Sequence, residues 1–240
     1  MSIRLTSLAL ASLALVLVAG CSSSSSGGGN ESTASGGSGT TLRGAITGAK
    51  ESGVLDLTVA ASGTTAKSVT PLGDPATTTT VTGAITFSAG GGTITLTGTY
   101  DSATGAFTVS GAGYTLTGNL KDGLASGSYT GPKGAGQFTA NATSGGAVTV
   151  YCGTFKTPQD NGNWNIACGA DGKCSGSFYS NVKSSGGALS GTLAGSTLTL
   201  LDPGGKGAPI TGALAGTTIT GTCSADGTCT FTGSVEACSK

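Results

Sequence analysis

Residues 93–100 read Thr-Ile-Thr-Leu-Thr-Gly-Thr-Tyr, and this strict alternation decides the fold class. The positions that would share one face of a strand are Ile94, Leu96, Gly98 and Tyr100. Threonine fills the other face, where its branched side chain favours extended backbone without adding much apolar surface. A strand with one apolar and one polar face is typical of an antiparallel sheet that is wet on one side. We therefore predict an all-β fold.

Glycine-containing turns separate many such segments along the chain. The clearest are 101–105, 121–123, 170–172 and 225–227, three of which contain Asp-Gly. Asp-Gly between alternating segments is a strong hairpin signal, because glycine accepts the positive φ of tight hairpin turns. About fifteen candidate strands lie between Thr41 and Val235. This pattern predicts an antiparallel meander closing as a β-sandwich or β-barrel after a flexible tether, with a β-solenoid as the alternative.

The charge and composition exclude several classes of function. The chain contains no histidine, which removes the commonest general base and metal ligand and every Ser-His or Cys-His pair. Without residues 1–20, which include Arg4, the chain has ten basic and eleven acidic side chains and a net charge of −1. A nucleic-acid-binding protein is expected to show a basic excess instead. We expect no nucleic-acid partner, no cofactor, no metal site and no enzymatic activity.

The first twenty residues have the organisation of a secretory signal peptide. Arg4 precedes an apolar run from Leu8 to Val18 that is too short for a typical membrane-spanning helix. The run ends in Val18-Ala19-Gly20-Cys21, which resembles the lipobox of bacterial lipoproteins. That resemblance implies cleavage before Cys21, lipidation of its thiol, and attachment of several acyl chains such as palmitate, enough for stable anchoring. Ser22 resembles the residue that directs such proteins to the outer membrane of a Gram-negative cell.

The predicted domains follow from this anatomy. Residues 1–20 are the signal peptide, and 21–39 are the lipidated cysteine and a Ser/Gly-rich tether with an rms reach of about 24 Å. Residues 40–240 form the all-β domain. A composition change near 143–146 divides that domain into halves 40–145 and 146–240, and cysteines other than Cys21 occur only in the second half.

Six cysteines remain after Cys21 is assigned to lipid, which favours three disulfides in an exported chain. Spacing alone allows fifteen pairings of six cysteines. An internal repeat narrows the choice, because residues 168–174 and 223–229 share the frame Cys-x-Ala-Asp-Gly-x-Cys. The C-x5-C spacing differs from the closer pairs that are usual in zinc and redox sites.

A three-residue Ala-Asp-Gly turn predicts the register of both hairpins. Such a turn closes Gly169 against Lys173 and places Cys168 opposite Cys174 in a non-hydrogen-bonded pair, close enough for a disulfide. The same register sets Trp164 against Phe178. Inner-face partners in the second hairpin are Gly221 with Phe231 and Ile219 with Gly233. We predict the disulfides Cys168–Cys174, Cys223–Cys229 and, by elimination, Cys152–Cys238.

Other candidate site residues have simpler structural interpretations. Asp171 and Asp226 are expected to accept hydrogen bonds from backbone amides of their turns. Residues 160–163 only partly match a calcium loop, because the spaced carboxylates and terminal glutamate are missing. The aromatic residues Tyr151, Phe155, Trp164 and Tyr179 could build a carbohydrate platform. Core packing is the favoured interpretation of Trp164, which falls on the predicted buried face.

These features predict location more clearly than activity. We expect a protein anchored in the cell envelope through its N-terminal lipid, at the outer membrane if the cell is Gram-negative. The first functional hypothesis is a non-catalytic structural or interaction module whose protein or glycan partner is unknown. The alternatives are a barrel-type carrier of a small apolar ligand and a carbohydrate-binding module, and an apolar cavity of several hundred Å3 would favour the carrier.

Overall fold

A computed structural model of the chain describes residues 39–61, 78–88, 91–201, 209–224 and 226–238. The predicted signal peptide 1–20, the lipidation site Cys21 and the tether up to residue 38 lie outside the described residues. All sixteen strands described belong to antiparallel pairs. None of the described helices is long and apolar enough to cross a membrane.

The first eight strands form a closed barrel in which each strand pairs with the next. They are β1 (Thr40–Gly48), β2 (Ser52–Val59), β3 (Thr78–Phe87), β4 (Thr93–Asp101), β5 (Ala106–Gly111), β6 (Tyr114–Lys121), β7 (Leu124–Gly131) and β8 (Gly134–Ala142). β1 also pairs with β8, from Leu42 opposite Ala142 to Gly48 opposite Gly136. Because the barrel is closed, it has no unpaired strand edge at which another chain could add. A short 3-10 turn (Thr143–Gly145) follows β8.

The next eight strands form a second closed barrel of the same design. They are β9 (Thr149–Lys156), β10 (Asn161–Cys168), β11 (Lys173–Ser180), β12 (Ser185–Ala194), β13 (Thr197–Leu201), β14 (Ile210–Ala215), β15 (Thr218–Thr222) and β16 (Thr230–Ser234). β16 closes the barrel on β9, with Phe231 opposite Phe155 and Gly233 opposite Gly153. A second 3-10 turn (Glu236–Cys238) follows β16.

The all-β prediction is confirmed, and the meander closes as two barrels rather than as a sandwich or a solenoid. The chain passes from one barrel to the next at residues 143–148, within the region of the composition change. Eight strands suit a barrel whose interior is just wide enough for side chains to fill.

Glycine residues on the inner faces make room for aromatic rings. A small number of large side chains is therefore enough to pack each barrel. A Cβ atom at Gly118 or Gly127 would lie within 3.0 Å of the Phe138 ring. In the second barrel, a Cβ at Gly233 would lie 2.5 Å from the Trp164 indole. Alternation of large and small residues therefore continues across neighbouring strands as well as along each one.

The two barrels meet through a buried polar cluster. Asn165 of β10 is fully buried and donates from Nδ2 to Ser177 Oγ at 2.9 Å and to Thr47 Oγ1 of the first barrel. Thr139 of the first barrel donates to Asn165 Oδ1 at 3.3 Å. Because the amide and its hydroxyl partners satisfy one another, their burial at this interface avoids unpaired polar groups.

An apolar cluster beside that interface contains one of the three disulfides. Its buried members are Ala45, Val54, Val150, Cys152, Ala167 and Cys238. Cys152 and Cys238 are bonded to each other, so the 3-10 turn after β16 is fastened to the outer face of β9. The C-terminal segment is thus part of the contact between the barrels.

An apolar cavity in the second barrel

The second barrel contains an apolar cavity of about 370 Å3 at one of its ends. The β9–β10, β11–β12 and β15–β16 connections lie at this end, which we call the mouth. The lining residues are Phe155, Asp160, Trp164, Phe178, Ser180, Lys183, Ser185, Gly186, Leu189, Leu200, Ile210, Cys223, Cys229 and Phe231. Most of these side chains are apolar, and the polar ones lie near the turns. The volume lies in the lower part of the usual range for ligand pockets, roughly 300–1,000 Å3.

The aromatic rings that surround the cavity are held by one another and by the sheet. Trp164 and Phe231 meet edge to face with centroids 5.4 Å apart, and Phe155 and Phe178 do so at 6.2 Å. Trp164 Nε1 donates to the Thr154 carbonyl oxygen at 3.1 Å, so the indole has a hydrogen-bond partner within the barrel. Edge-to-face pairs of this kind add stabilisation beyond their buried area. The wall of the cavity is therefore preformed.

The corresponding end of the first barrel is occupied by large side chains. Phe87, Tyr114 and Tyr129 stack there, with centroid distances of 5.1 and 6.4 Å, and the Tyr114 hydroxyl donates to Glu51 Oε2 at 2.7 Å. Burial, together with this hydrogen bond and the charge of Glu51, raises the pKa of Tyr114 to about 12. At the mouth of the second barrel the lining residues that flank the β11–β12 turn are Ser180, Ser185 and Gly186, which fill less volume.

Hydrogen bonds hold the rim of the mouth in place. Asp160 Oδ2 accepts from Ser180 Oγ at 2.7 Å, and Asp160 Oδ1 accepts from the Val182 amide at 3.4 Å. The Lys183 amide in turn donates to Ser180 Oγ at 2.9 Å. The Asp160 carboxylate is thus engaged in fixing the turn between β11 and β12, and this turn carries Lys183 to the rim.

The rim also combines an exposed cation with an exposed apolar side chain. Lys183 is exposed, and the described residues offer it no salt bridge within 4.0 Å. Val182, in the β11–β12 turn beside it, is 62% exposed. Leu201 is 43% exposed, but it alternates with the inward-facing Leu200 and lies opposite the exposed Ser190, so it belongs to the outer face of the barrel.

The three disulfides join the pairs predicted from the repeat, Cys152–Cys238, Cys168–Cys174 and Cys223–Cys229. The predicted partners on the inner face of both hairpins are also observed. Gly172 and Gly227 have positive φ, as the turn requires. Cys223 and Cys229 line the cavity, whereas Cys168 and Cys174 lie at the opposite end of the barrel, beside the turn between β10 and β11.

The prediction that both cysteine pairs are non-hydrogen-bonded is wrong for the second hairpin. In the first hairpin the Gly169 amide donates to the Lys173 carbonyl, as expected. In the second, the Cys223 amide donates to the Cys229 carbonyl at 3.0 Å, so the hydrogen-bonded pair is the cysteine pair itself. Ser224 stands where the first copy has Gly169, and its hydroxyl accepts the Cys229 amide at 2.9 Å. The hydrogen bond from the Cys229 amide to the Ser224 hydroxyl therefore takes the place of the backbone hydrogen bond that Gly169 makes in the first hairpin.

The two turn aspartates lie where the sequence places them. Asp171 Oδ1 accepts the Lys173 amide and Asp226 Oδ1 accepts the Thr228 amide, each at 3.0 Å. Hydrogen bonds from the Ser224 hydroxyl, and then from the amide and hydroxyl of Thr228, lower the pKa of Asp226 to about 2. The described residues contain no group of three or more His, Cys, Asp or Glu side chains that could hold a metal ion. Residues 160–163 form the end of a turn and the start of β10.

The aromatic residues proposed as a carbohydrate platform do not share one surface. Tyr151 and Trp164 are buried inside the second barrel at 6% and 4% exposure, and Phe155 packs against the same core. Tyr179 alternates with Phe178 along β11 and faces away from that core. Core packing of Trp164, the favoured interpretation, therefore agrees with its position.

The cavity itself was not predicted, and neither were the roles of Lys183, Leu189, Leu200 and Ile210 in its lining. The alternation marks Leu198 and Leu200 as inward-facing, but a periodic pattern does not report whether inward side chains fill the space that they enclose. One signal lies in residues 180–187, Ser-Asn-Val-Lys-Ser-Ser-Gly-Gly, where several small residues follow one another at the ends of two strands.

In comparisons with known proteins, no protein-family model, no curated protein and no solved structure matches this chain.

Proposed function

We propose that this protein is a non-catalytic, lipid-anchored protein of the cell envelope whose second barrel carries a small apolar ligand. The observation that supports the carrier is the cavity of about 370 Å3 lined mainly by aromatic and aliphatic side chains. Water in such a space finds few hydrogen-bond partners, so an apolar molecule can replace it at little cost. The rigid aromatic wall adds to this because little ordering is needed on binding.

The anchor is supported by the sequence of residues 1–21. A lipid on Cys21 and a tether of residues 22–39 would hold the barrels within a few tens of ångströms of a bilayer, since the rms reach of the tether is about 24 Å. A carrier in that position can exchange apolar molecules with the membrane or with other envelope proteins. Among Gram-negative cells, Ser22 favours the outer membrane.

The carrier can be tested with an uncharged probe whose fluorescence rises in apolar surroundings. We expect N-phenyl-1-naphthylamine to bind the mature chain, residues 21–240, carrying Cys21→Ser, which lacks both the apolar run 8–18 and the lipid and therefore needs no detergent. Leu189→Phe adds volume to the lining of the cavity and should abolish this binding or weaken it at least tenfold.

Leu193→Phe is the matched control for that substitution. Leu193 lies on the same strand and the same face as Leu189, but it packs near the opposite end of the barrel and is not part of the lining. Its substitution should leave the probe affinity within about twofold. Equal probe binding by both variants, or none by the parent chain, would exclude this cavity as a ligand site and leave a structural or protein-binding role as the remaining proposal.

Carbohydrate binding finds less support in the geometry. Sugar-stacking platforms need exposed aromatic faces, and Trp164 is only 4% exposed and lies inside the barrel. The aromatic surface that it presents is directed toward the cavity, which suits an apolar ligand better than a polar sugar.

A further inference from the structure

We propose that the ligand of the second barrel is a single-chain amphiphile with one anionic headgroup, its chain in the cavity and its headgroup beside Lys183. This inference rests on the proposed carrier function and specifies its ligand. It follows from the distribution of polar groups in the cavity, from the charge of Lys183 at the rim, and from the exposed Val182 beside it.

The polar lining residues are confined to the mouth. Asp160, Ser180, Lys183 and Ser185 belong to the β9–β10 and β11–β12 connections or adjoin them, whereas Leu189, Leu200 and Trp164 line the cavity farther along the strands. A molecule that enters from this end must therefore be apolar where it is deepest. It can be polar only where it leaves the mouth, which is the arrangement of an amphiphile.

The sign of the headgroup follows from the hydrogen bonds of the rim. The two Asp160 oxygens accept from the Ser180 hydroxyl and the Val182 amide, so this carboxylate faces the β11–β12 turn and makes no salt bridge with Lys183. Lys183 is exposed and has no salt-bridge partner among the residues that the structure describes. An ammonium group that no carboxylate of the described residues pairs with, at the mouth of an apolar cavity, favours a carboxylate or another anionic group.

One exposed apolar residue of the rim can extend the contact surface beyond the cavity. Val182 adjoins Lys183 and is 62% exposed. The upper methylenes of a chain whose headgroup reaches Lys183 can pack on this side chain. Exposed hydrophobic residues that flank a cavity are thereby covered when the ligand is bound.

Three ligands with the same chain and different headgroups test this inference: 10-bromodecanoate, 10-bromodecanol and 10-bromodecylamine, each below its micelle concentration. The chain contains one tryptophan, Trp164, and it lines the cavity. Bromine quenches indole fluorescence at contact range, so Trp164 reports directly whether the end of the chain has entered. The protein is again the mature chain 21–240 with Cys21→Ser.

We expect all three compounds to quench Trp164, with the acid binding most tightly and the amine least. An exposed ion pair contributes modestly, so we expect the acid to bind about threefold to fivefold more tightly than the alcohol at low salt. This preference should shrink as salt is added, because exposed charges are screened. Shortening the acid should weaken binding about fourfold for each methylene removed.

Lys183→Gln is the decisive variant, and Lys173→Gln is its control. Lys173 lies at the opposite end of the barrel, paired with Asp171 at 3.3 Å. We expect Lys183→Gln to remove the preference for the acid without changing the affinity for the alcohol, and Lys173→Gln to change neither.

The outcomes separate the two proposals. Binding of the alcohol with the same affinity as the acid, or an acid preference that survives Lys183→Gln, would overturn the headgroup assignment while the apolar carrier stands. If none of the three quenches Trp164 but the naphthylamine probe still binds, the ligand is not a linear chain and this inference is wrong. If neither the chains nor the probe bind, the carrier function fails as well.

Discussion

Asn165 is fully buried between the two barrels, and its amide bonds to hydroxyl groups of Thr47, Thr139 and Ser177. Removing one partner from a buried polar cluster leaves the others unsatisfied, at a cost of about 1–3 kcal/mol for each such group. Asn165 is therefore one of the groups that stabilise the contact between the barrels, together with the apolar cluster beside it.

Replacement of Asn165 by leucine should lower the free energy of unfolding by about 3 kcal/mol, because the three hydroxyls lose their partner. Urea denaturation followed by circular dichroism measures this change. Asn119→Ala is the control: Asn119 is exposed on β6, and its loss should cost less than about 0.5 kcal/mol. A loss below about 1 kcal/mol for Asn165→Leu would show that the hydroxyls find other partners.

Asp226 provides a second test at the residue scale. Its pKa is lowered to about 2 from an ordinary value of 3.8, first by the Ser224 hydroxyl and then by the Thr228 amide. A group whose folded pKa is depressed stabilises the fold above its unfolded pKa, and this contribution disappears as the pH falls from 3.8 toward 2. Carboxyl NMR titration should give a pKa near 2, and Ser224→Ala should raise it. An unchanged value in the variant would contradict the role of the hydroxyl.

At the scale of elements, the two cysteine hairpins are matched in length and differ in position. Each disulfide spans a sequence separation of six residues, so both should contribute a similar chain-entropy stabilisation of about 2.5 kcal/mol. Only Cys223–Cys229 lines the cavity. This allows the effect on stability and the effect on the cavity to be separated.

Conversion of Cys223 and Cys229 to serine should weaken binding of the naphthylamine probe several-fold, because the β15–β16 turn then loses its closure at the mouth. Conversion of Cys168 and Cys174 to serine should lower stability by a similar amount and leave the probe affinity unchanged. Fluorescence titration and urea denaturation of both double variants provide the comparison. Equal loss of probe affinity in the two double variants would indicate that the cavity depends on the stability of the whole barrel and not on the disulfide at its mouth.

The hairpins show how far sequence reasoning reaches. Alternation and Asp-Gly turns act over a few residues, so the strand character, the cysteine register and the disulfide partners could be predicted from the sequence. The hydrogen-bonding of the second cysteine pair could not, because it depends on whether the Ser224 hydroxyl bonds to the turn or to solvent. The closure of β1 on β8 joins distant segments and leaves no local pattern.

The cavity could not be predicted from the sequence for a related reason. Both barrels place Phe, Tyr, Leu and Ile on their inner faces, and their alternation is alike. One end of the first barrel is occupied by Phe87, Tyr114 and Tyr129, whereas the second has Ser180, Ser185 and Gly186 among the residues at its mouth. Whether a cavity remains depends on the total volume of the side chains that point into a closed barrel. That total can be worked out only when the order and register of all eight strands are known.

At the scale of the whole molecule, we expect the lipid on Cys21 to determine where the barrels are found. Cys21→Ser, placed behind a signal peptide that is cleaved without lipidation, should release folded protein from the membrane, because residues 22–39 have no apolar run that could hold it there. Fractionation of cells with a carbonate wash measures the release, and Ser22→Ala is a suitable control that keeps the thiol. A Cys21→Ser chain that stays with washed membranes would contradict the anchoring proposal.

The central claim is that an apolar ligand occupies the inside of the second barrel. Crystals of the Cys21→Ser chain soaked in a short bromoalkane test it most directly, because the anomalous signal of bromine locates the bound molecule. We predict a bromine peak within the cavity, in contact with Trp164, Leu189 and Leu200. Bromine found only on the outer faces of the barrels, with the cavity lacking any, would contradict the claim.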